Sequence, residues 1–228
     1  FPTRLLDVDP PDLLVADGPL AAHLGQMQAV AVVGTRRPSV EALDFTRTLA
    51  AQLAGAGFVV VSGGARGIDT AAHEGALAGG GRTVAVLPSA IDAWVPAENA
   101  SLFRRIREGG ALVALVERRQ RPRFFARNAV IAGLAEHVVV TAAPMESGAR
   151  NTALHARKAG RTLWVVPGAP WDPCMAGCGI ELTIGGAHPL IAPAQLLRHL
   201  TGAPLRRRPR RAAAVQVSLP LGADAAPL

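Results

Sequence analysis

Apolar runs and amphipathic stretches alternate regularly along the chain from residue 29 onward. The apolar runs are four to six residues long and continuous, as in strands covered on both faces. These runs are Ala29–Val33, Phe58–Val61, Thr83–Leu87, Ala111–Val116, His137–Thr141 and Thr162–Val166. Helical patterns separate them, at about residues 39–55, 67–79, 98–108, 127–135 and 147–159. This alternation predicts an α/β fold with a mainly parallel sheet, helices on both faces and right-handed crossovers.

The two ends of the chain depart from this alternation. Residues 1–27 are rich in Pro, Asp and Leu, and we expect a short irregular or helical lead-in before one α/β domain over residues 28–200. Within that domain, residues 167–188 predict a loop-rich crossing with one short helix, followed by a terminal helix. Residues 201–228 combine an arginine cluster with an Ala/Pro-rich end, which predicts a basic, disordered tail.

The net positive charge of the chain indicates a candidate class of binding partner. The net charge is +7, and of 24 basic residues only Lys158 is a lysine. Arginine reads phosphate bidentately, so this balance favours nucleic acid. The alternative is that the arginine bias reflects a GC-rich genome, because ten arginines fall in two clusters. No run of eighteen apolar residues and no leader is found, so we expect a cytoplasmic protein without a membrane partner.

The most informative stretch is residues 62–73, Ser-Gly-Gly-Ala-Arg-Gly-Ile-Asp-Thr-Ala-Ala-His, directly after a predicted strand. Ligands of parallel sheets bind beyond the carboxyl ends of the strands. Backbone N–H groups at a helix start near Gly67, together with Arg66, predict a phosphate site that also involves Ser62, Gly63 and Gly64. A plain strand–glycine–helix turn is the alternative.

Two further turns belong to the same predicted edge. Gly34-Thr35-Arg36 follows the first strand without a G-x-G-x-x-G fingerprint, so it does not predict dinucleotide binding. Arg36 either faces the site or is an exposed loop arginine. Ser147 and Gly148 begin another helix, with Thr152 in its second turn, where anion binding and plain capping are both open.

Asp69 and His73 are four residues apart on the helix that follows the glycine-rich turn, so their side chains share one face. They form either a catalytic pair or a capping aspartate beside a neighbouring histidine. No Ser or Cys nucleophile is placed with them, which favours capping.

Residues 118–128 interleave five arginines with two adjacent phenylalanines. A cationic groove with aromatic faces is typical of proteins that bind single strands. The candidate contacts are Arg121, Arg123, Phe124, Arg127 and Asn128. The alternative is that Phe124 and Phe125 anchor the loop in the core while the arginines are solvated.

Taken together, these motifs resemble the DNA-processing protein A family, also called Smf. The matching stretches, in the family's order and spacing, are Gly34–Arg36, Ser62–His73, Ala85–Leu87, Val95–Asn99, Phe124–Leu134, Ser147–Ala153, Pro167–Gly168 and Gly186–Ala187. The resemblance implies an extended Rossmann-like domain that binds single-stranded DNA, forms a homodimer and loads the recombinase RecA during natural transformation. It implies no known enzymatic activity, no cofactor and no metal.

The resemblance also assigns roles by position. Arg36 and Arg66 match the phosphate pocket, Arg121 a basic DNA contact and Phe124 a base-stacking aromatic. Arg127 with Asn128, and the Ser147, Gly148 and Thr152 helix start, match the remaining motifs. Ala129 stands where the family carries a second arginine, which removes one positive charge.

Two other functions fit the same fold class. A nucleotide N-glycoside hydrolase of the lysine-decarboxylase-like group needs a P-G-G-x-G-T-x-x-E motif, which is absent, so its acid/base carboxylate is missing. A nucleotide-binding sensor needs only the phosphate cradle and stays open.

Overall fold

The computed structural model describes residues 2–8, 13–116 and 123–202, with only the backbone described at Arg123. Eight strands there form one sheet in the order β1-β5-β4-β3-β2-β6-β7-β8. The strands are β1 (Leu13–Asp17), β2 (Ala29–Gly34), β3 (Val59–Ser62), β4 (Thr83–Leu87), β5 (Ala111–Val116), β6 (His137–Ala142), β7 (Thr162–Val165) and β8 (His188–Pro189). The α-helices are α1 (Val40–Gly55), α2 (Ile68–Ala78), α3 (Ala100–Gly109), α4 (Arg123–Leu134), α5 (Gly148–Lys158), α6 (Ala176–Thr183) and α7 (Pro193–Thr201).

Alternating side chains of each strand feed two cores. On β2, Ala29, Ala31 and Val33 face the core shared with α4, α5 and α6, whereas Val30 and Val32 face α1, α2 and α7. Helix α3 covers β4 and β5 on the latter side. Since both faces are buried, the central strands are almost entirely apolar. The predicted α/β class, an extended Rossmann-like and mainly parallel sheet with helices on both faces, is confirmed.

The lead-in contains a strand that the sequence analysis missed. Strand β1 pairs antiparallel with β5 at the edge of the sheet, with Leu13 opposite Val116. Its residues alternate between exposed and half-buried, so it lacks the continuous apolar run that identified the central strands. Short 3-10 helices at Thr3–Asp7 and Ala21–His23 make up much of the rest. The division of the chain at residue 28 stays a prediction.

Other differences are smaller. Helix α4 begins at Arg123, about four residues before the predicted start, and two-residue β8 ends the predicted crossing. Helices α6 and α7 lie where a short and a terminal helix were predicted. Nearly all of the predicted tail, residues 203–228, lies outside the described residues. Across the described ranges, none of the helices has the length and apolar character needed to cross a bilayer.

Candidate nucleic-acid interface

A cavity of about 540 Å³ opens at the carboxyl edge of the sheet, and we call it the edge cavity. It lies between the loops that follow β2, β3, β6 and β7 and the first turn of α4. Nine of the residues predicted from the sequence line it: Gly34, Thr35, Arg36, Phe124, Arg127, Asn128, Ser147, Gly148 and Thr152. Three separate motifs of the chain therefore meet at one place.

The turns after β2 and β3 are packed tightly against each other. A Cβ on Gly34 would lie 2.5 Å from Cγ1 of Ile68, and the Ile68 N–H donates to the Thr35 carbonyl at 3.2 Å. Gly67 has a φ of +76°, and a Cβ there would lie 2.6 Å from the Thr35 carbonyl oxygen. This contact fixes where Arg36 leaves the sheet.

Arg36 and Phe124 meet at the mouth of the cavity. The guanidinium carbon of Arg36 lies 5.4 Å from the centroid of the Phe124 ring, in cation–π contact. Phe124 is 48% exposed and Phe125 is 54% exposed, so the alternative that they anchor the loop in the core is wrong. The cavity thus presents a cation and an aromatic face side by side.

Arg127 lies deeper and is paired within the protein. Its Nη1 is 3.7 Å from Oδ2 of Asp69, and both side chains are buried. Burial raises the pKa of Asp69, an effect that the charge of Arg127 opposes, and burial lowers the pKa of Arg127, which the charge of Asp69 opposes. The Nε of Arg127 is buried without a hydrogen-bond partner among the described residues. The inner part of the cavity therefore holds a charge pair rather than a free cation.

Asp69 and His73 do not form the pair that their spacing allows. Asp69 accepts from the Ala65 N–H at 3.3 Å and so braces the turn before α2. His73 Nδ1 lies 2.7 Å from the Thr83 hydroxyl, which itself donates to the Val60 carbonyl at 2.6 Å. His73 therefore donates from Nδ1 and is neutral. Burial, and secondarily the charge of Arg127, lowers its pKa to about 3.

Because His73 is buried with a lowered pKa, we expect the free energy of unfolding to fall in mild acid. A buried imidazole whose pKa falls from 6.5 to about 3 stabilises the fold fully above pH 6.5, and this contribution is lost as the pH falls toward 3. Relative to His73→Asn, whose amide can still donate to Thr83, the parent should lose about 2 kcal/mol of unfolding free energy between pH 7 and pH 5. Urea denaturation at both pH values measures this. A difference that stays constant would contradict the assignment.

The start of α5 is tied to α4 by an amide. Asn128 Nδ2 donates to the Gly148 carbonyl and to Asn151 Oδ1, each at 3.1 Å. Ser147 caps the helix by accepting from the Ala149 N–H at 3.2 Å. Thr152 is buried, and its hydroxyl lies 3.4 Å from the Gly148 carbonyl. These contacts set the opening of the cavity on the α5 side.

Not every predicted residue reaches the cavity. Arg66 turns outward into a bidentate ion pair with Glu98, with 2.6 Å between Nη2 and Oε2, and both side chains are exposed. Ser62 is buried and donates to the Val32 carbonyl, Gly63 lies beneath Arg127, and Gly64 lies against Phe103. Arg121 and the side chain of Arg123 lie outside the described residues.

The structure also adds residues that sequence reasoning did not place in the site. Ala65, Asp69, Glu146 and Cys174 line the cavity. Cys174 comes from the proline-rich crossing, where no sequence pattern marked it. Ala129, at the position of the family's second arginine, is buried in the core. Among the described residues, no group of three or more His, Cys, Asp or Glu side chains is placed to hold a metal ion.

Comparisons with known proteins identify the family of this chain. The sequence model of the family DNA recombination-mediator protein A matches residues 1–201. Protein Smf of Synechocystis sp. is 36% identical over 211 residues, which covers 90% of this chain and 53% of that protein. The chain spans about half the length of the curated relatives that it matches.

Solved structures of DNA processing proteins also match this chain over most of its length. DNA processing protein A from Streptococcus pneumoniae has a TM-score of 0.78 at 34% identity, over 86% of this chain and 70% of that chain. The Helicobacter pylori protein, whose structure concerns a single-stranded DNA binding mode, has a TM-score of 0.79 at 30% identity, over 89% of this chain and 93% of that chain. The chain described here belongs to the DNA recombination-mediator protein A family.

Proposed function

We propose that the edge cavity binds single-stranded DNA. The observation that carries this proposal is the contact between Arg36 and the half-exposed Phe124 ring at the cavity mouth. A guanidinium beside an accessible aromatic face matches the two parts of a nucleotide, since the cation pairs with the phosphate and the ring stacks on the base. Arg37, which also lines the cavity, supplies a second exposed cation.

The proposal is for a single strand because stacking on a side-chain ring requires an unpaired base. In a duplex both faces of each base are covered by its neighbours, and only the phosphates are available to arginines. The structure of the Helicobacter pylori relative concerns single-stranded DNA binding, which supports the same ligand here.

Membership of the family supports a wider role. We propose that the protein acts in the cytoplasm as a homodimer, protects incoming DNA during natural transformation and helps to load RecA onto it. It does so by binding rather than by catalysis. DNA processing proteins of Streptococcus pneumoniae and Bacillus subtilis, 36% and 33% identical to this chain, support this role.

Binding of a fluorescently labelled oligo-dT, followed by anisotropy at low and high salt, tests the proposal. We expect Phe124→Ala to weaken binding by about 1–3 kcal/mol, the usual contribution of one stacked base. Arg36→Ala should weaken it and also reduce the slope of log affinity against log salt by about 1, because one phosphate contact is lost. Unlabelled duplex should compete poorly.

Matched control variants distinguish loss of the site from the general effect of removing a positive charge or an exposed apolar side chain. Arg82→Ala removes an exposed arginine just before β4, at the opposite edge of the sheet, and Leu6→Ala removes an exposed apolar side chain from the lead-in. Both should bind as the parent does. Parent-like affinity of Phe124→Ala and Arg36→Ala, or equal competition by duplex, would contradict the assignment of the site.

A nucleotide-binding sensor is the second candidate, because about 540 Å³ is a volume typical of small-ligand sites. The same titration distinguishes the two. A mononucleotide that displaces the oligonucleotide at comparable concentration would favour the sensor.

A further inference from the structure

Trp171 is the most exposed large hydrophobic side chain that the structure describes, at 85% exposure. The other two tryptophans are packed. Trp164 is buried beside His188 and His199, and Trp94 packs on Phe103 and donates to the Ile91 carbonyl. Trp171 forms no hydrogen bond and no ring contact with any residue in the described ranges. Holding an indole in water forgoes its burial, so the ring of Trp171 is available to a ligand.

The loop that carries Trp171, residues 167–175, is held in shape by its own hydrogen bonds. The Asp172 N–H donates to the Ala169 carbonyl at 3.0 Å, which makes Pro170 and Trp171 the two central residues of a turn. Next along the chain, the Asp172 carboxylate accepts from the Cys174 N–H at 2.8 Å. The Met175 N–H closes a second turn on the Asp172 carbonyl at 3.0 Å. The indole is therefore presented by an ordered turn.

This loop borders the edge cavity. Cys174 lines the cavity, and its Sγ lies 3.8 Å from the carbonyl oxygen of Arg37. Trp171 is three residues from Cys174, so their Cα atoms are at most about 10 Å apart. The Arg36–Arg37 pair is thus in contact both with Phe124 and with the loop that carries Trp171.

We propose that Trp171 is a second base-stacking platform for the single strand, beside the arginine pair that Phe124 also contacts. This inference rests on the proposed function and extends it, because it gives the site a second aromatic ring on which a base can stack. A nucleobase fits the observations better than a protein partner does. Protein-binding patches are contiguous and apolar, whereas Trp171 is the one exposed large hydrophobic of residues 167–175, and its loop contacts the exposed Arg37.

Intrinsic fluorescence tests this directly. Oligo-dT is titrated into the parent and into Trp171→Phe, and the difference between the two signals isolates Trp171 from the packed tryptophans. We expect saturable quenching in the parent, at the oligonucleotide concentrations that raise the anisotropy of the labelled strand. Quenching equal in both proteins would overturn the proposal.

Affinity gives the second measurement. Trp171→Ala should weaken oligo-dT binding about 5- to 150-fold, and Trp171→Phe should retain most of the affinity because a benzene ring still stacks. Leu6→Ala is the control for losing an exposed apolar side chain. If Trp171→Ala binds oligo-dT with the affinity of the parent, this inference is overturned and the proposed function stands. A parent protein that does not bind oligo-dT contradicts the proposed function itself.

Discussion

Replacing Arg127 by alanine should lower the free energy of unfolding by about 3–5 kcal/mol at pH 7, the usual cost of removing one partner from a buried ion pair. Asp69 would keep its position beneath the cavity without the cation that lies 3.7 Å away. The hydrogen bonds that remain to it, from the Ala65 and Gly63 backbone and the Ser62 hydroxyl, do not supply a compensating full charge. Urea denaturation at neutral pH measures the loss.

The pH dependence of this loss has a definite sign. Burial already raises the pKa of Asp69, and removing Arg127 removes the charge that opposes the rise. A carboxyl group with a raised pKa in the folded state favours folding below its unfolded pKa, and that contribution is lost as the pH rises. The deficit of Arg127→Ala relative to the parent should therefore shrink from pH 7 to pH 5.

A double variant provides the control. Arg127→Ala combined with Asp69→Asn leaves no buried carboxylate at this place beneath the cavity, so its deficit should be smaller at pH 7 and should not recover in acid. A deficit of Arg127→Ala that is the same at both pH values would show that Asp69 is not the group left uncompensated.

Gly63→Ala is expected to cost a comparable amount, about 3–5 kcal/mol, through the same ion pair. A Cβ at this position would lie 1.4 Å from Nη1 and 2.4 Å from Cζ of Arg127, and 2.8 Å from Oδ2 of Asp69. The guanidinium must leave the place that it shares with the Asp69 carboxylate, so the movement breaks the pair. The free energy of unfolding from urea denaturation measures the cost.

A double-mutant cycle identifies the mechanism. Once Arg127 is alanine, most of the cost of Gly63→Ala should disappear, because the main overlap is with the arginine. Gly179→Ala is the matched control, since its Cβ meets nothing within 4 Å and it lies inside α6, where alanine should stabilise by up to about 1 kcal/mol. Additive costs of Gly63→Ala and Arg127→Ala would refute the shared mechanism.

The sequence predicts the strands of the sheet well where both faces of a strand are buried. The six central strands are continuous apolar runs because both faces are covered, and each lies within a residue or two of its predicted bounds. Strand β1 was missed because an edge strand that pairs antiparallel needs neither a long apolar run nor a crossover helix. The early start of α4 was missed because its first turn consists of arginine and exposed phenylalanine.

The sequence predicts which turns meet at the site. It does not predict which side chains within those turns pair with each other. Topology alone brings the carboxyl ends of β2, β3 and β6 together, so Arg36 and Ser147 were expected at one edge. The ion pairs of Arg66 with Glu98 and of Arg127 with Asp69 join residues 32 and 58 positions apart, respectively. Local patterns carry no information about such partners, and the sequence therefore assigned both arginines to phosphate.

The Arg36–Phe124 contact has a consequence for the path of a bound strand. An aromatic ring has two faces, and a guanidinium already occupies one face of Phe124. A base can then stack on one side only, so the ring ends a column of bases instead of continuing it. If the strand binds as proposed, its stack of bases ends at Phe124, and the nucleotides on either side of that break do not lie in the regular helical stack that a complementary strand would pair with.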